Sequence, residues 1–267
     1  SGLIAPTMQM IFRRCNILVK SDDDYLTGQA HPTVFEGGQI DTLRMIEMAH
    51  AMKASEAPPL AVLQVQSEEL GDPHHDYFDS MRSEVLLNTP CAISRLCNST
   101  QYWREIQISA NGSHDPNGRA LTFKWVVLRG DPKRIELKEV DGDPSARRIR
   151  IGYHPRRPIQ PGSAIESNRV DIGVFAHNGA YYSAPAFVSF YYPDNEVREY
   201  DDQHRIVSVD FRSANKNYAD PVIIVQRDWR DDYQYDDQGN LQGWTRTREG
   251  GQQELFNPAG QLVIKSD

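Results

Sequence analysis

The stretch Ile108-Ser109-Ala110-Asn111-Gly112-Ser113-His114-Asp115-Pro116-Asn117-Gly118, followed by Leu121-Thr122-Phe123-Lys124-Trp125, constrains the fold of this chain more than any other. Ile106 and Ile108 alternate with polar residues. A dense group of Asn, Asp, Gly and Pro follows, and then Leu121, Phe123, Trp125 and Val127 resume the alternation. Successive side chains on a strand point to opposite faces, so the segment reads as strand, tight turn, strand, with one face of each strand buried. The period of two continues through Ile135 and Leu137, then Ile149, Ile151 and Tyr153. It is clearest at Val170, Ile172, Val174 and Ala176, and it returns at 187–191. Residues 104–193 are therefore predicted to form an antiparallel β-sandwich of six strands, with Leu60–Gln66 as a seventh.

The flanks differ. Residues 1–59 carry helical signals. Pro6 suits the first turn of a helix over Met8–Cys15, where its missing N–H costs nothing. Asp41 is placed to cap a second helix with a wide apolar face from Ile40 to Met52, stopped by Pro58-Pro59. Two such helices bury no core of their own, so they must pack on the sandwich or on an upstream domain of the same polypeptide. Ser21–Pro32 is predicted to be a polar loop. Within the connecting region 60–103, Thr89-Pro90 predicts a helix over Cys91–Cys97. The last segment, 194–267, holds a repeat. Tyr200-Asp201-Asp202-Gln203-His204-Arg205 is echoed by Tyr235-Asp236-Asp237-Gln238-Gly239-Asn240 and by Phe256-Asn257-Pro258-Ala259-Gly260-Gln261. An aromatic residue, an Asx-rich turn and a restarting strand describe a hairpin, and three in series describe a β-meander.

The chain is acidic, with a net charge of −8, and its basic residues form no long patch, so nucleic acid is not an expected partner. No apolar run is long enough to span a bilayer as a helix. Cys15, Cys91 and Cys97 include no CxxC spacing and read as buried free thiols. The sequence opens on Ser1-Gly2 without an initiator Met, and we read it as the C-terminal part of a longer polypeptide.

The 111–125 motif resembles the start of a PKD domain, an Ig-like module of secreted bacterial enzymes and surface proteins. With the run Trp125-Val126-Val127-Leu128-Arg129, it is also similar to the Ig-like C-terminal domain that follows a nucleoside-hydrolase-like domain in some secreted bacterial proteins. Arg129-Gly130-Asp131-Pro132 stands where PKD modules carry Gly-Asp-Gly. The Tyr-Asp hairpins resemble the YD repeats of Rhs-type surface proteins. These resemblances imply a mainly β fold made of an Ig/PKD-like sandwich, an N-terminal helical segment and a C-terminal meander. They also imply an extracytoplasmic location and a non-catalytic module, often attached to a hydrolase.

Candidate sites fall in three places. Asp115 and Asn117 offer oxygen ligands at alternating positions, which suits Ca²⁺, the one cofactor candidate; Asx-turn hydrogen bonds account for the same residues. Asp22, Asp24 and His31 form a weak acid–base candidate, and His74-His75-Asp76 reads as a solvated acidic loop. Trp229, Tyr233, Tyr235 and Trp244 are candidate ligand-binding residues, because planar rings beside Asp and Asn combine stacking with directional hydrogen bonds, as sugar sites do. Cross-strand pairing would account for them equally. The leading expectation is a non-catalytic accessory or interaction region with a glycan or cell-surface partner. The alternatives are the C-terminal part of an extracytoplasmic hydrolase whose catalytic residues lie mostly upstream, and a purely structural surface module.

Overall fold

The computed structural model describes residues 4–32, 35–73, 76–77, 83–212, 217–220 and 227–265. His74 and His75 lie outside them. Among the described residues the protein is mainly β, and no helix is long and apolar enough to cross a membrane.

Two sheets face each other as a sandwich. One runs β1 (Gln64–Glu68), β4 (Trp103–Ser109), β7 (Asp143–Gly152), β6 (Ile135–Val140). The other runs β2 (Val85–Thr89), β3 (Ala92–Leu96), β11 (Ala186–Tyr191), β10 (Val170–His177), β5 (Thr122–Arg129). A short pair, β8 (Arg157–Pro158) and β9 (Glu166–Ser167), lies on the β7–β10 connection. The pairings are antiparallel except that β3 runs parallel to β11. Reading β1, β4, β5, β6, β7, β10 and β11 as A to G gives A-B-E-D on one side and G-F-C on the other, the strand order of an immunoglobulin-type sandwich. Ile106, Ile108, Ile149 and Ile151 from one sheet meet Ile93, Ile172, Val174 and Val188 from the other, all buried. Each contributes about 1.5–3 kcal/mol by leaving water. Trp125 packs against this core, partly buried, opposite Val174 on β10.

The Asp115 turn carries the chain from one sheet to the other. The Asp115 side chain accepts from the backbone N–H of Asn117 (2.8 Å) and of Arg119 (3.1 Å), and Gly118 takes the left-handed conformation at φ 71°. That conformation is one glycine adopts without a Cβ clash.

Both faces of β10 are buried. Its outer face and that of β5 are covered by the N-terminal segment, which answers where the two helices pack. α1 (Ile4–Arg14) sets Met10 and Ile11 against Phe175, Val126 and Leu128, joined by Met45, Met48 and Met52 of the α3 region (Thr42–Ala51 and its C-cap). Asp41 caps α3 through the Arg44 N–H at 3.0 Å. The predicted polar loop holds a single helical turn, α2 (Asp22–Tyr25). Ser21 and Asp24 cap it reciprocally, and buried Tyr25 donates to the Ser183 carbonyl at 2.9 Å.

The sequence-based expectation fails over 91–97. Thr89 Oγ1 accepts from the Ala92 N–H (3.1 Å) and donates to the Ala92 carbonyl (3.0 Å), which closes a hairpin turn, and 92–96 is strand β3. Cys91 sits exposed on that turn, whereas Cys15 and Cys97 are buried; all three are free thiols. The seventh strand, β1, also lies later than the predicted Leu60–Gln66.

The C-terminal meander is one six-stranded sheet in sequence order: β12 (Val197–Tyr200), β13 (Ile206–Asp210), β14 (Trp229–Tyr235), β15 (Leu241–Arg248), β16 (Gln253–Phe256), β17 (Leu262–Lys265). The three repeated turns share one geometry. Oδ1 of Asp201, Asp236 or Asn257 accepts from the backbone N–H two and four residues on, at 2.8–3.1 Å. The fourth residue is left-handed in each: His204 (φ 61°), Gly239 (84°), Gly260 (78°). The Asp115 turn of the sandwich has the same construction.

Candidate binding cavity

The meander is docked on one end of the sandwich. β12 begins this through Arg198, whose guanidinium is fully buried. It donates to the carbonyls of Ser99 (2.6 Å), Cys97 (2.9 Å) and Asn98 (3.1 Å), and pairs with Glu196. Tyr200 Oη donates to the Thr100 carbonyl at 3.0 Å. Tyr102–Tyr200 and Tyr153–Tyr192 then meet edge to face across the junction and Tyr153–Tyr200 at a tilt, with centroids 5.0–5.3 Å apart. The His204 ring lies 4.1 Å from that of Tyr102. Such contacts add to simple area burial.

Between these parts lies a cavity of about 630 Å³, within the range of small-molecule sites. Asn98, Thr100 and Gln101, from the β3–β4 connection, form one wall. β13, β14 and β15 form the other. Because strand side chains alternate, Trp229, Asp231, Tyr233 and Tyr235 of β14 all line it, as do Trp244 and Arg246 of β15. The register places Asp231 opposite Arg246 and Tyr233 opposite Trp244. Asp231 accepts a two-pronged pair from Arg246 (2.8 and 3.0 Å) and a bond from Trp229 Nε1 at 3.2 Å. Burial pushes the Asp231 pKa up, and Arg246 opposes that shift. The ring row continues across the sheet, Trp244 stacking on Phe256 with centroids 5.2 Å apart.

All four aromatic candidates therefore converge on one cavity. Their surroundings differ. Trp229, Tyr233 and Tyr235 are half-buried, while Trp244 is buried between Tyr233 and Phe256. Arg246, Arg248 and Arg227 place their guanidiniums 4.2, 5.3 and 5.5 Å from the Trp229 ring, and Arg205 lies 4.8 Å from that of Tyr235.

The chain matches no protein-family model, and no curated protein matches it. The site rests on its geometry.

The other candidate residues are engaged locally. Asp22 pairs with Arg14 at 2.5 Å. Asp24 accepts from the Lys20 and Ser21 N–H groups, which hold its pKa below the usual carboxylate range. His31 donates from Nε2 to the Tyr25 carbonyl at 2.6 Å, against the rings of Tyr25 and Phe175. Burial, aided by Arg13, lowers its pKa to about 3, so it is neutral at physiological pH. The two carboxylates thus serve an ion pair and a helix cap, and the imidazole serves the packing beneath α1. At the Asp115 turn, Oδ1 faces the two backbone N–H groups and Oδ2 accepts from Asn178 Nδ2 at 2.6 Å; Asn117 Nδ2 donates to the Ala54 carbonyl at 3.0 Å. These hydrogen bonds fix the turn and tie it to β10 and to the α3–β1 segment. Among the described residues no group of three or more His, Cys, Asp or Glu is arranged to hold a metal ion.

Sequence reasoning missed Arg205, Asp231, Arg246 and the entire Asn98–Gln101 wall. Asp231 and Arg246 had a partial signal, the hairpin that joins their strands. The Asp236–Gly239 turn marks the β14–β15 hairpin, but a bulge between Gln234 and Tyr235 shifts the register by one, and only that shift pairs Tyr233 with Trp244 and Asp231 with Arg246. The wall lies about a hundred residues away along the chain and had none.

Proposed function

We propose that this chain is a non-catalytic binding region of a secreted or surface bacterial protein, and that the cavity between the meander and the sandwich is its carbohydrate site. The observation that carries this is the convergence of Trp229, Tyr233 and Tyr235 with polar side chains in one cavity whose volume is within the range of small-molecule sites. Half-buried rings offer apolar faces to the C–H face of a pyranose. The exposed Gln101 side chain on the facing wall offers hydrogen bonds to its hydroxyls. Of the cavity's carboxylates, Asp231 and Glu196 are each held by an arginine and Asp76 accepts from the Asp72 N–H, an arrangement suited to shaping a site rather than to moving protons.

One observation favours a purely structural role instead. Trp244 is packed under Phe256, and Trp229 already contacts three guanidiniums, so part of the aromatic surface stabilises the sheet. A glycan array separates the two. The binding site requires that a glycan retained by the native chain lose at least tenfold in affinity on Tyr235→Ala, while Tyr181→Ala, in the helix-covered cluster on the sandwich, leaves it unchanged. No retention across plant, algal and bacterial glycans would leave the structural role.

A further inference from the structure

We infer that the cavity takes an uncharged glycan, one without carboxylate, sulfate or free amine groups. This rests on the carbohydrate-binding function proposed above and specifies its ligand class. Three carboxylates (Asp76, Glu196 and Asp231) and three arginines (Arg205, Arg227 and Arg246) line the cavity, so their formal charges cancel. The balance is local, because the chain as a whole carries a net charge of −8.

Each of these charged groups is already engaged by the protein. Asp231 is buried, with both oxygens bonded to Arg246 and one also to Trp229. Glu196 is buried and bonded to Arg198. Asp76 accepts from the Asp72 N–H at 2.7 Å. Arg205 donates through Nε to Asp201 at 2.7 Å and through Nη2 to Gln203 at 3.4 Å, and it lies over the Tyr235 ring. Arg227 lies over Phe211 and Trp229 and is not free either. The His204 ring rests against those of Tyr102 and Trp103.

An ionic group entering such a space gives up its water shell and meets no spare opposite charge. It gains one only by displacing an existing partner. Displacing Arg246 would strand the buried Asp231 carboxylate, and displacing Arg205 would break the Asp201 pair at the first repeated turn. The argument holds for either sign, since the carboxylates are as fully engaged as the arginines. Long-range attraction or repulsion by the acidic surface is screened within about 10 Å at ordinary ionic strength, so the local balance governs. A hydroxyl makes no such demand. It needs only hydrogen bonds, it both donates and accepts, and the exposed Gln101 amide on the facing wall does the same. The half-buried faces of Trp229, Tyr233 and Tyr235 then meet the apolar C–H side of the sugar.

The test reads the charge of every glycan retained on the array by the full native chain. It then titrates that chain with two pairs of probes: oligogalacturonate and its methyl ester, and deacetylated and N-acetylated chito-oligosaccharide. One pair differs by a carboxylate and the other by an amine, so both signs are covered. The expected result is that the retained glycans are uncharged. Within any pair that binds, the uncharged member should bind at least tenfold tighter. Raising the salt from about 0.05 to about 0.5 M should change the affinity by less than about twofold, because no net charge is being screened. Gln101→Ala should weaken binding by about threefold, the scale of one hydrogen bond. Retention mainly of charged glycans, tighter or equal binding of a charged pair member, or a severalfold loss in high salt would overturn the inference and leave the carbohydrate site in place. No retention of any glycan, or affinity unchanged by both Gln101→Ala and Tyr235→Ala, would overturn both. The array, the probe pairs and the salt series use the native chain, so they decide the charge question even if a variant folds poorly.

Discussion

Arg198→Ala is expected to destabilise the protein by about 3–5 kcal/mol, the range for breaking a buried ion pair from one side. The Arg198 side chain is fully buried, and with Tyr200 it ties the meander to the sandwich. Its removal leaves the Glu196 carboxylate buried without its partner, and the carbonyls of Cys97, Asn98 and Ser99 without the donor they share. Each orphaned group carries its own desolvation penalty, which explains why the cost exceeds that of one hydrogen bond. Arg198→Lys restores a charge but not the fork that reaches carbonyls and carboxylate together, so it should recover less than half of the loss. In a domain of this size the alanine variant should melt on the order of 10 °C lower. Chemical denaturation, followed by tryptophan fluorescence, measures it directly. The fluorophores are in both halves, Trp103 and Trp125 in the sandwich and Trp229 and Trp244 in the meander. A loss below about 1 kcal/mol, the scale of an exposed pair, would mean that Arg198 does not hold the two parts together.

Gly243→Ala is expected to cost about 2–4 kcal/mol, combining backbone strain with a forced shift of the neighbouring strand. Gly243 sits in β15 at φ 139°, a conformation that L side chains rarely adopt. A Cβ there would be driven into the Phe256 carbonyl oxygen of β16, which is backbone and cannot swing aside. The adjacent Trp244–Phe256 stack would be displaced with it. Gly250→Ala, in the next turn, meets nothing within 4 Å and serves as the control, with a change inside about 0.5 kcal/mol. Paired thermal melts of the two variants check this. Near-UV circular dichroism should report loss of the Trp244 signal for Gly243→Ala only.

The parts of this fold legible in the sequence were those set by short-range chemistry. An Asx residue followed three positions on by a left-handed residue builds its own turn, so Asp115, Asp201, Asp236 and Asn257 each mark one. The alternation over Val170–Ala176 marks a strand with a buried face, and Asp41 marks the start of a helix. The failures occurred where local signals were shared. Thr89-Pro90 suits a helix start and a hairpin turn equally. The parallel pairing of β3 with β11, nearly a hundred residues away, decides between them. His31 beside three aspartates looked chemical because sequence proximity does not reveal that its ring turns inward onto Phe175. The aromatic half of the cavity was visible as a cluster because one sheet of sequential hairpins carries it. Its charged groups depended on strand register, and its second wall on how the meander docks.

Hydrogen–deuterium exchange of the native chain, with and without a saturating glycan identified on the array, tests the central claim most directly. The cavity has walls from two distant parts of the chain, so bound glycan should slow exchange both at 98–101 and across 204–206 and 229–246. The Asp115 turn and the α1–α3 layer should exchange as before. Protection confined to the Asp115 turn or the helical layer, or absent from 98–101 while present in the meander, would contradict a site formed between the sandwich and the meander.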